Sequence, residues 1–306
     1  MGTEELTAVV LNWRTPELTR HAVASLIEDG VPAARIVVVD NGSGEAVAAE
    51  LADDLAGVRL VALEENVGFA RGNVAGAAAL PGAGYLFVNS DAFVARAGST
   101  ARMLAALADP GVGIVVPRLL NEDRTLQPSV VPFSTPLSEL VRASGLSRLV
   151  PNRLQPRLGT HWDHAETRSI EAAVGAVVLV RGSTWEELGG FDESRFMYAE
   201  DHDLFRRAAA VGWRARFVAD AEFVHLGSGS AARRWSDPDR ARRVAAAEAA
   251  MVREHLGPLT GRLTVALMAA GVAVRAVLWR LRGDPEAART QAAWLRGYLR
   301  PGGSVS

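Results

Sequence analysis

The chain contains no cysteine and no lysine among its 306 residues. Without cysteine it can form neither disulfide bonds nor thiolate metal sites. Without lysine it has no side-chain amine for Schiff-base chemistry, and all 33 of its basic residues are arginines. Those arginines are balanced by 35 acidic residues, so the formal net charge is only −2. This near balance argues against nucleic acid as a partner of the whole chain.

The amino terminus also lacks the features of a secretory signal. Met1 to Glu5 reads Met-Gly-Thr-Glu-Glu, which is acidic and leads directly into an apolar run. A signal peptide begins with basic residues followed by a longer apolar core. We therefore expect a cytoplasmic protein. With 49% hydrophobic residues, the chain has enough core for two domains or for one large α/β domain with an appendage.

The first ninety residues alternate between strand and helix patterns. Short β-branched apolar runs predict buried strands at residues 6–11, 35–39, 58–63 and 84–88. Thr15-Pro16-Glu17 predicts the beginning of a helix that ends near Glu28, and further helical patterns precede the third and fourth strands. Strands that alternate with helices in this way are typical of a parallel sheet covered on both faces.

Polar residues follow each of the four predicted strands. They are Asn12, Asp40, Asn66 and Asp91. Such a residue by itself is more often a turn former or a helix cap. Four successive strand ends of this kind favour a ligand site instead, because ligands of open α/β sheets bind at the carboxyl ends of the strands.

The residues around these strand ends narrow the class of ligand. Asn66 to Asn73 combines two glycines, an arginine and two carboxamides at the beginning of a helix, which suits a diphosphate. Asp40 is placed to accept a hydrogen bond from a base or a ribose, and Asp91 to hold a hard divalent cation against phosphate oxygens. The turn at residues 40–44 lacks the third glycine of the dinucleotide fingerprint, which argues against a nicotinamide dehydrogenase. Together these patterns predict a nucleotide-diphosphate site with a metal.

Three acids, Glu200, Asp201 and Asp203, precede an amphipathic pattern that starts at Leu204. One interpretation is structural, because the positive end of the helix dipole favours acids in the first turn. The other is that one carboxylate faces a cleft as a general base. Spacing alone does not show which of the adjacent carboxylates, Glu200 or Asp201, would point into that cleft. Asp203 is interpreted as a capping or arginine-pairing residue.

Two later regions differ in composition from the first ninety residues. Residues 118–167 form a Pro-, Ser- and Arg-rich region of weak periodicity, which we interpret as a loop with an acceptor-side or lid role. Residues 231–300 carry 13 Arg against 6 acids, a net of +7. Within them, 263–281 is apolar and near the minimum length of a membrane span, but Arg275 is costly in a bilayer. A helix lying on a bilayer surface fits better, and a packing arm or dimer element is the open alternative.

An ordered set of motifs runs along residues 5–230. In chain order it comprises Val9-Val10-Leu11-Asn12-Trp13, Val37-Val38-Val39-Asp40-Asn41-Gly42-Ser43, Asn66-Val67-Gly68-Phe69-Ala70-Arg71-Gly72-Asn73, Asn89-Ser90-Asp91, Gly189-Gly190-Phe191-Asp192, Phe196-Met197-Tyr198-Ala199-Glu200-Asp201-His202-Asp203-Leu204, Gly212-Trp213 and His225. This set resembles the family 2 glycosyltransferases with the GT-A fold, and specifically their bacterial rhamnosyltransferase-like branch.

The resemblance implies an α/β architecture of the GT-A type. Its central sheet would be Rossmann-like and mostly parallel, flanked by helices, with a helical C-terminal extension. It also implies a division into three parts. Residues 1–95 would form the nucleotide-sugar-binding half, 96–230 the acceptor-binding and catalytic half, and 231–306 an arginine-rich helical extension.

The resemblance further implies roles for individual residues. Asp40 would bind the base of the nucleotide with Asn12 nearby, and Arg71 and Asn73 would lie near the ribose and diphosphate. Asp201 matches the family's catalytic base, with Glu200 beside it at the donor or acceptor sugar. The full set of donor-site candidates is Asn12, Arg14, Asp40, Asn66, Gly68, Arg71, Asn73, Asn89 and Asp91.

The resemblance also implies a site for Mg²⁺ or Mn²⁺. Asp91 matches the last acid of the family's D-x-D motif, and His225 matches a histidine that completes the metal site in several relatives. Asn89 stands where a strict D-x-D motif has Asp, although the rhamnosyltransferase branch often has Asn there. One carboxylate fewer implies weaker or conditional dependence on metal.

The implied activity is inverting transfer of a hexosyl group, such as L-rhamnose or another deoxysugar, from a dTDP-, UDP- or GDP-linked donor to an acceptor hydroxyl. The acceptor would be a glycan, a lipid-linked glycan or a small-molecule aglycone. The arginine-rich arm would contact the inner face of the plasma membrane or a second copy of the chain. Two alternatives compete. One is a non-catalytic carbohydrate- or nucleotide-binding protein, and the other is a sugar-phosphate nucleotidyltransferase, whose Gly-, Arg- and Lys-containing signature is replaced here by Asn12-Trp13-Arg14-Thr15.

Overall fold

The computed structural model of the chain describes residues 1–159, 161–227 and 237–300. Its strands are β1 (Leu6–Asn12), β2 (Ile36–Asn41), β3 (Arg59–Leu63), β4 (Gly84–Asn89), β5 (Ala92–Val94), β6 (Val112–Leu120), β7 (Leu126–Gln127), β8 (Val130–Val131), β9 (Arg168–Ile170), β10 (Ala172–Ala173), β11 (Val177–Arg181) and β12 (Arg214–His225). Its α-helices are α1 (Pro16–Glu28), α2 (Glu45–Asp54), α3 (Phe69–Ala79), α4 (Ser99–Ala106), α5 (Pro136–Ala143), α6 (Gln155–Leu158), α7 (Gly182–Leu188), α8 (Glu200–Ala210), α9 (Asp237–Leu281) and α10 (Pro285–Tyr298). Short 3₁₀ turns occupy Thr3–Glu5, Ala33–Arg35, Leu146–Leu149 and Asn152–Leu154.

Ten of the strands in the described residues form one sheet. Its main path runs β3-β2-β1-β4-β11-β6-β12-β5, with β7 beside β6 and β9 beside β12. The first four strands of this path are parallel, in the 3-2-1-4 order of dinucleotide-binding sheets. Beyond β4, strand β11 runs antiparallel to both of its neighbours, and β6 and β12 are parallel to each other. The sheet as a whole is therefore mixed, and the predicted parallel arrangement is found in its first four strands.

The β-branched runs explain the parallel half of the sheet. Strands β1, β2 and β4 are buried along almost their whole length, as expected of strands covered on both faces. Helix α3 approaches them closely at Gly76, where an added Cβ would lie 2.4 Å from a methyl carbon of Val9 and 2.8 Å from one of Val39. Because protein interiors have little room for such an atom, glycine sets the distance between this helix and the sheet.

Strand β12 was not among the strands predicted from the sequence. Polar residues interrupt its apolar positions, and its pairing with β6 changes register between Val218 and Glu222. A register shift breaks the period-two alternation by which a half-buried strand is recognised. The apolar run of residues 171–180 is divided between two strands, β10 and β11.

Residues 118–167 are more ordered than their composition suggested, so their interpretation as a loop was wrong. The region includes the end of β6, strands β7 and β8, helices α5 and α6, and two 3₁₀ turns. Helix α5 begins after Thr135, whose hydroxyl oxygen accepts a hydrogen bond from the Ser138 N–H, and Pro136 occupies its first position. Such local capping can define a helix too short to show periodicity. The acceptor-side role of the region stays a prediction.

The chain divides into two compact units. The first comprises residues 1–130 and 164–196 with the described part of 200–230, and it contains the ten-stranded sheet with a core of aliphatic strand residues. The second comprises the described parts of 131–163 and 231–306 together with 197–199. The three-part functional division at residues 95 and 230 stays a prediction.

The C-terminal helical extension is present as α9 and α10, within the second unit. The two helices pack closely, since a Cβ added at Gly297 would lie 2.5 Å from the Cβ of Ala245. The Tyr298 hydroxyl donates a hydrogen bond to the Glu248 carboxylate at 3.0 Å, and burial raises the pKa of this tyrosine well above its usual range. Helix α9 is interrupted at Gly257, which has φ +74° and precedes Pro258, a residue that cannot continue the helical hydrogen-bond pattern.

The second half of α9 keeps an apolar face exposed. Its opposite face is buried in the core of the second unit through Val265, Met268 and Val272. The segment Pro238–Leu281 is long and apolar enough to cross a membrane, because mean hydropathy reaches 1.6 in one of its 18-residue windows. Of that window, 39% is buried within the protein. A surface helix normally exposes polar residues instead. We call the exposed face the exposed stripe; it comprises Leu259, Leu263, Ala266, Ala270, Val274, Val277 and Leu281.

Candidate active site

The polar strand ends predicted to share a ligand site are neighbours in the first unit. In the parallel pairing, Asn12 lies opposite Asp40 and Leu11 lies opposite Asn89. The Asn12 side-chain amide donates a hydrogen bond of 2.6 Å to Asp40 Oδ1. The other carboxylate oxygen of Asp40 accepts the backbone N–H of Ser43 at 3.1 Å. Both side chains are buried, and their hydrogen bonds fix the turn after β2. They also lie at the end of the sheet where the nucleotide is predicted to bind.

The loop after β1 is tied to the loops after β2 and β4. Arg14 adopts a left-handed backbone with φ +56°, and its N–H donates to the Ser43 hydroxyl at 2.8 Å. Its guanidinium lies over the Trp13 ring, 5.2 Å from the ring centroid. The hydroxyl groups of Thr15 and Ser90 lie 2.9 Å apart. The three loops therefore form one connected structure at this edge of the sheet.

The loop between β3 and α3 is built around Asn66 and Gly68. Asn66 Oδ1 accepts hydrogen bonds from the Gly68 N–H at 3.0 Å and from the Asn41 amide at 3.2 Å. Gly68 has φ +92°, and a Cβ there would lie 2.2 Å from the backbone oxygen of Phe196. The next N–H, of Phe69, donates to that same oxygen at 2.8 Å. Only glycine meets both conditions, the backbone angle and the space.

Arg71 and Asn73 occupy different environments in α3. The Arg71 guanidinium is exposed and donates to the backbone oxygen of Glu193 at 3.1 Å. The Asn73 side chain is buried, and its amide donates to the backbone oxygen of Phe69 at 3.0 Å. Arg71 is therefore at the surface, where its role at the ribose and diphosphate stays a prediction, whereas Asn73 stabilises the first turns of the helix.

Asp91 and His225 face each other. His225 Nε2 lies 3.5 Å from Asp91 Oδ1, and both side chains are largely buried. The backbone oxygen of Asp91 also accepts the Leu226 N–H at 3.0 Å, and Ala92, the next residue after Asp91, pairs with His225 in the β5–β12 register. Two residues 134 positions apart are therefore brought together by adjacent antiparallel strands, and their role as metal ligands stays a prediction.

The adjacent acids at the beginning of α8 have opposite environments. Asp201 is half-exposed, and its two oxygens accept the backbone N–H groups of Gly175 at 2.8 Å and His202 at 2.7 Å. Glu200 is buried, and burial together with the charge of Asp201 raises its pKa to about 8. Its Oε2 has no hydrogen-bond partner among the described residues. At neutral pH Glu200 is therefore mostly protonated.

The backbone before these acids is strained. Tyr198 and Ala199 have φ values of +76° and +67°, which non-glycine residues rarely adopt and which concentrate at functional sites. Asp203, in contrast, is structural, because its carboxylate pairs with Arg207 at 2.7 Å and with Arg195 at 3.4 Å. The sequence interpretation of Asp203 as an arginine-pairing residue is confirmed.

One dipeptide joins Asp201 to the loop after β4. Gly175 donates its N–H to Asp201, and the backbone oxygen of the next residue, Ala176, accepts the N–H of Asn89 at 2.9 Å. A Cβ at position 175 would lie 2.8 Å from the Cβ of Asp201, so the contact needs glycine. The carboxylate predicted to be the base is thereby fixed beside the loop predicted to hold the divalent cation.

Two family models match the parts of the chain that build this arrangement. The model described as glycosyl transferase family 2 matches residues 7–130, and the model described as glycosyl transferase family group 2 matches residues 165–245. The first contains the strand-end loops, and the second contains the Gly175 contact, both acids and His225. The chain belongs to glycosyl transferase family 2.

Among curated proteins, this family 2 glycosyltransferase is similar to a rhamnosyltransferase. It is 28% identical over 205 residues to the N-acetylglucosaminyl-diphospho-decaprenol L-rhamnosyltransferase of Mycobacterium tuberculosis, a match that covers 62% of this chain and 66% of that protein. It is also 28% identical over 234 residues to the O-antigen biosynthesis protein RfbC of Myxococcus xanthus, covering 75% of this chain and 18% of that protein. The chain therefore spans slightly less than two thirds of the first relative and a small part of the second.

Solved structures show the same GT-A fold. The mannosyltransferase PcManGT from Pyrobaculum calidifontis, in complex with GDP-Man and Mn²⁺, superposes with a TM-score of 0.58 at 17% identity, covering 96% of this chain and 86% of that one. GalNAc-T7 with UDP, GalNAc and Mn²⁺ gives 0.57 at 16% identity, covering 81% and 47%. TarS of S. aureus gives 0.53 at 14% identity, covering 87% and 43%. At these identities the likeness concerns the fold.

Asp91 and His225 of this glycosyltransferase suit a divalent cation. Their separation of 3.5 Å is long for a hydrogen bond. It is slightly longer than the roughly 3–3.4 Å between two ligands that each lie about 2.1 Å from one cation, so a small side-chain adjustment would let both bind the same ion. No group of three or more metal-ligating side chains occurs in the described ranges. Mg²⁺ bound with a nucleotide usually has one or two protein ligands. Phosphate oxygens and water supply its other ligands.

Two residues of the site carried no signal in the sequence. Gly175 lies in an apolar run that matches no functional motif. Only its contact with Asp201 in the folded chain shows its role. Gln127 lies in the region taken for a loop, and its Oε1 is 2.8 Å from His225 Nδ1. Both contacts join residues far apart in the chain, which local patterns do not reveal.

Proposed function

We propose that this family 2 glycosyltransferase transfers a hexosyl group from a nucleotide-diphosphate donor to an acceptor hydroxyl with inversion of configuration. The observation that carries the proposal is the Gly175-Ala176 segment, which holds Asp201 beside the Asn89 loop. In a single displacement the acceptor attacks the anomeric carbon opposite the departing diphosphate. The reaction requires a base at a fixed separation from the cation that stabilises the leaving diphosphate.

Asp201 is our candidate for the general base. Its two backbone hydrogen bonds orient the carboxylate, and as a half-exposed group it is within reach of an acceptor hydroxyl. Glu200 is unsuited to that role at neutral pH, because a proton already occupies its carboxyl group. We propose that Glu200 contributes as a neutral hydrogen-bonding group next to Asp201. A positioned base accelerates such a transfer by roughly 10²–10⁴-fold.

We propose that the donor lies along the strand-end loops, with Asp40 and Asn12 at the base, Arg71 at the diphosphate and Asn89 beside Asp91. Arg14, Asn66, Gly68 and Asn73 shape these loops. Asp91 and His225 would hold Mg²⁺ or Mn²⁺, which would stabilise negative charge on the leaving diphosphate. The relatives support this assignment, since two solved structures of the same fold carry Mn²⁺ with nucleotide or nucleotide sugar. A deoxysugar such as L-rhamnose is the donor sugar that the curated relative favours.

For the acceptor we propose a lipid-linked glycan at the inner face of the plasma membrane. The support is twofold. The curated relative is named for a decaprenol-linked substrate, and the exposed stripe on α9 gives this chain an apolar surface in an arginine-rich segment. Helices with an apolar face and flanking arginines bind at the interface of anionic bilayers.

The test compares Asp201→Asn with Asp220→Asn in transfer assays with dTDP-, UDP- and GDP-linked sugars. Asp220 is an exposed aspartate of the same unit, paired with Arg96 at 3.3 Å, so its variant controls for loss of a surface charge. We expect Asp201→Asn to lose about 10²–10⁴ in kcat, with donor binding unchanged, and Asp220→Asn to keep full rate. Equal rates in both variants would remove Asp201 as the base. Absence of turnover with every donor would favour a binding protein.

A further inference from the structure

Gln127 contacts the candidate metal ligand His225 at Nδ1, the ring nitrogen that does not face Asp91. It ends strand β7, which pairs with β6 through the Leu119–Gln127 register, and β6 in turn runs beside β12, whose last residue is His225. A tight turn from Asn121 to Thr125 connects β6 to β7, closed by the Asn121 N–H to the Thr125 oxygen at 2.8 Å. The turn therefore presents the Gln127 side chain to the His225 ring.

The orientation of the Gln127 amide is fixed by groups that can act only as acceptors. Its nitrogen donates to the backbone oxygen of His225 at 3.0 Å and to Asn121 Oδ1 at 3.1 Å. Asn121 is itself oriented, because its nitrogen donates to the backbone oxygen of Leu126 at 3.3 Å. A backbone oxygen cannot donate, so neither amide can be reversed without losing a hydrogen bond. The oxygen of Gln127 must then face His225.

This orientation determines which ring nitrogen of His225 carries the proton. Gln127 Oε1 lies 2.8 Å from Nδ1 and accepts its hydrogen. In the neutral ring the other nitrogen, Nε2, then has a lone pair, and that nitrogen is the one that faces Asp91 at 3.5 Å. Metal-binding histidines usually hold their second ring nitrogen in this way.

We propose that Gln127 is a positioning residue, which holds His225 in the Nδ1–H form with Nε2 directed at a divalent cation. The proposal rests on the metal site of the proposed function. It adds that the Asn121–Gln127 pair prepares this site before any cation or donor binds. Gln127 itself does not touch the reacting atoms.

The test uses Gln127→Met, which keeps the length of the side chain and removes its hydrogen bonds, and Gln127→Glu, which keeps an acceptor for Nδ1–H. Gln291→Met is the matched control, because Gln291 also accepts a side-chain hydrogen bond, from Arg275 at 3.2 Å, in the C-terminal helices. The affinity for Mn²⁺ is measured by electron paramagnetic resonance with UDP present and no sugar donor. We expect Gln127→Met to weaken Mn²⁺ binding about 10–100-fold, Gln127→Glu to restore most of it, and Gln291→Met to match the wild type.

A second measurement needs neither metal nor substrate. The ¹⁵N shifts of the His225 ring, assigned by comparison with His225→Asn, report the tautomer in the metal-free protein. We expect the Nδ1–H form in the wild type and a mixture of tautomers in Gln127→Met. An unchanged tautomer together with unchanged Mn²⁺ affinity would overturn the proposal.

The failures of the two proposals are distinguishable. If His225→Asn and Asp91→Asn both bind Mn²⁺ as the wild type does, the metal site of the proposed function is wrong. If those variants lose Mn²⁺ while Gln127→Met keeps it, the metal site stands and only the positioning role of Gln127 fails.

Discussion

Two neighbouring carboxyl groups, Glu200 and Asp201, differ in almost every physical respect. Asp201 is oriented by two backbone N–H groups, and Glu200 is buried with one oxygen that lacks a partner among the described residues. Burying an ionised carboxylate is costly, so the group keeps its proton instead. The difference gives each residue a separate experimental signature, even though they are adjacent in the chain.

The raised pKa of Glu200 predicts an unusual dependence of stability on pH. Its pKa rises from 4.5 to about 8 on folding, so the folded state binds more protons than the unfolded state between those values. Stability therefore falls as pH rises from about 4.5 to 8. Glu200→Gln removes this loss. We expect the variant to be more stable than the wild type at pH 8, by on the order of 2–4 kcal/mol, and nearly equal at pH 4.5.

The measurement is chemical denaturation at several pH values, with Glu193→Gln, an exposed glutamate of the preceding loop, as the control. Transfer at pH 7 should change less than about tenfold in Glu200→Gln, because glutamine resembles the protonated acid. A stability difference that does not grow with pH would contradict the burial argument. A loss of transfer as large as that of Asp201→Asn would make Glu200 the base.

Among the elements, the loop between β3 and α3 depends strongly on a single glycine. Gly68 combines a backbone angle of +92° with a position where an added Cβ would meet the Phe196 oxygen at 2.2 Å. Gly30 has a similar angle, +90°, with nothing within 4 Å of an added Cβ. The two glycines therefore separate the cost of the backbone angle from the cost of the contact.

We expect Gly30→Ala to lose about 1–2 kcal/mol of stability from the backbone angle alone. Gly68→Ala should lose more than this, because the loop must also move away from Phe196 and give up the hydrogen bond that the Phe69 N–H donates to the Phe196 oxygen. Denaturation midpoints of the two variants measure the difference. Affinity for a nucleoside diphosphate should fall only in Gly68→Ala. Equal losses in both variants would show that the Phe196 contact does not constrain the loop.

The strands and loops also show what sequence patterns can and cannot reveal. Strands β1, β2 and β4 are largely apolar runs, Asn12 and Asp40 lie at the carboxyl ends of β1 and β2, and Asp91 lies two residues after β4. Their placement at one edge follows from parallel pairing. Strand β12 was missed because a register shift interrupts its alternation. The contacts of Gln127 with His225 and of Gly175 with Asp201 join elements that pair only through the folded sheet. Neither residue type signals such a role by itself.

At the scale of the whole molecule, charge and apolar surface are unevenly distributed. Residues 231–300 carry a net charge of +7, so the rest of the chain carries −9 within the total of −2. The exposed stripe on α9 lies within the basic part. An apolar face flanked by arginines is complementary to an anionic bilayer, whose surface attracts basic side chains by roughly 1 kcal/mol each.

We expect the protein to sediment with vesicles that contain phosphatidylglycerol and much less with vesicles of phosphatidylcholine alone. The double substitution Val277→Glu and Leu281→Glu, at exposed positions of the stripe, should abolish sedimentation because it places two charges at the apolar face. Val211→Glu is the control, since Val211 is similarly exposed on the first unit, at 52% against 59% for Val277. A stripe that instead forms a dimer would appear as a dimer in analytical ultracentrifugation that the double substitution dissociates, and would contradict membrane binding.

The exposed stripe has a consequence for how reaction rates should be expressed. A protein held at an interface by Leu259 to Leu281 meets a membrane-bound acceptor by diffusion in two dimensions. Its rate then depends on the number of acceptor molecules per unit area, so adding inert lipid dilutes the substrate at constant volume concentration. Soluble donor still arrives from three dimensions. The two substrates of one turnover would therefore follow different concentration scales.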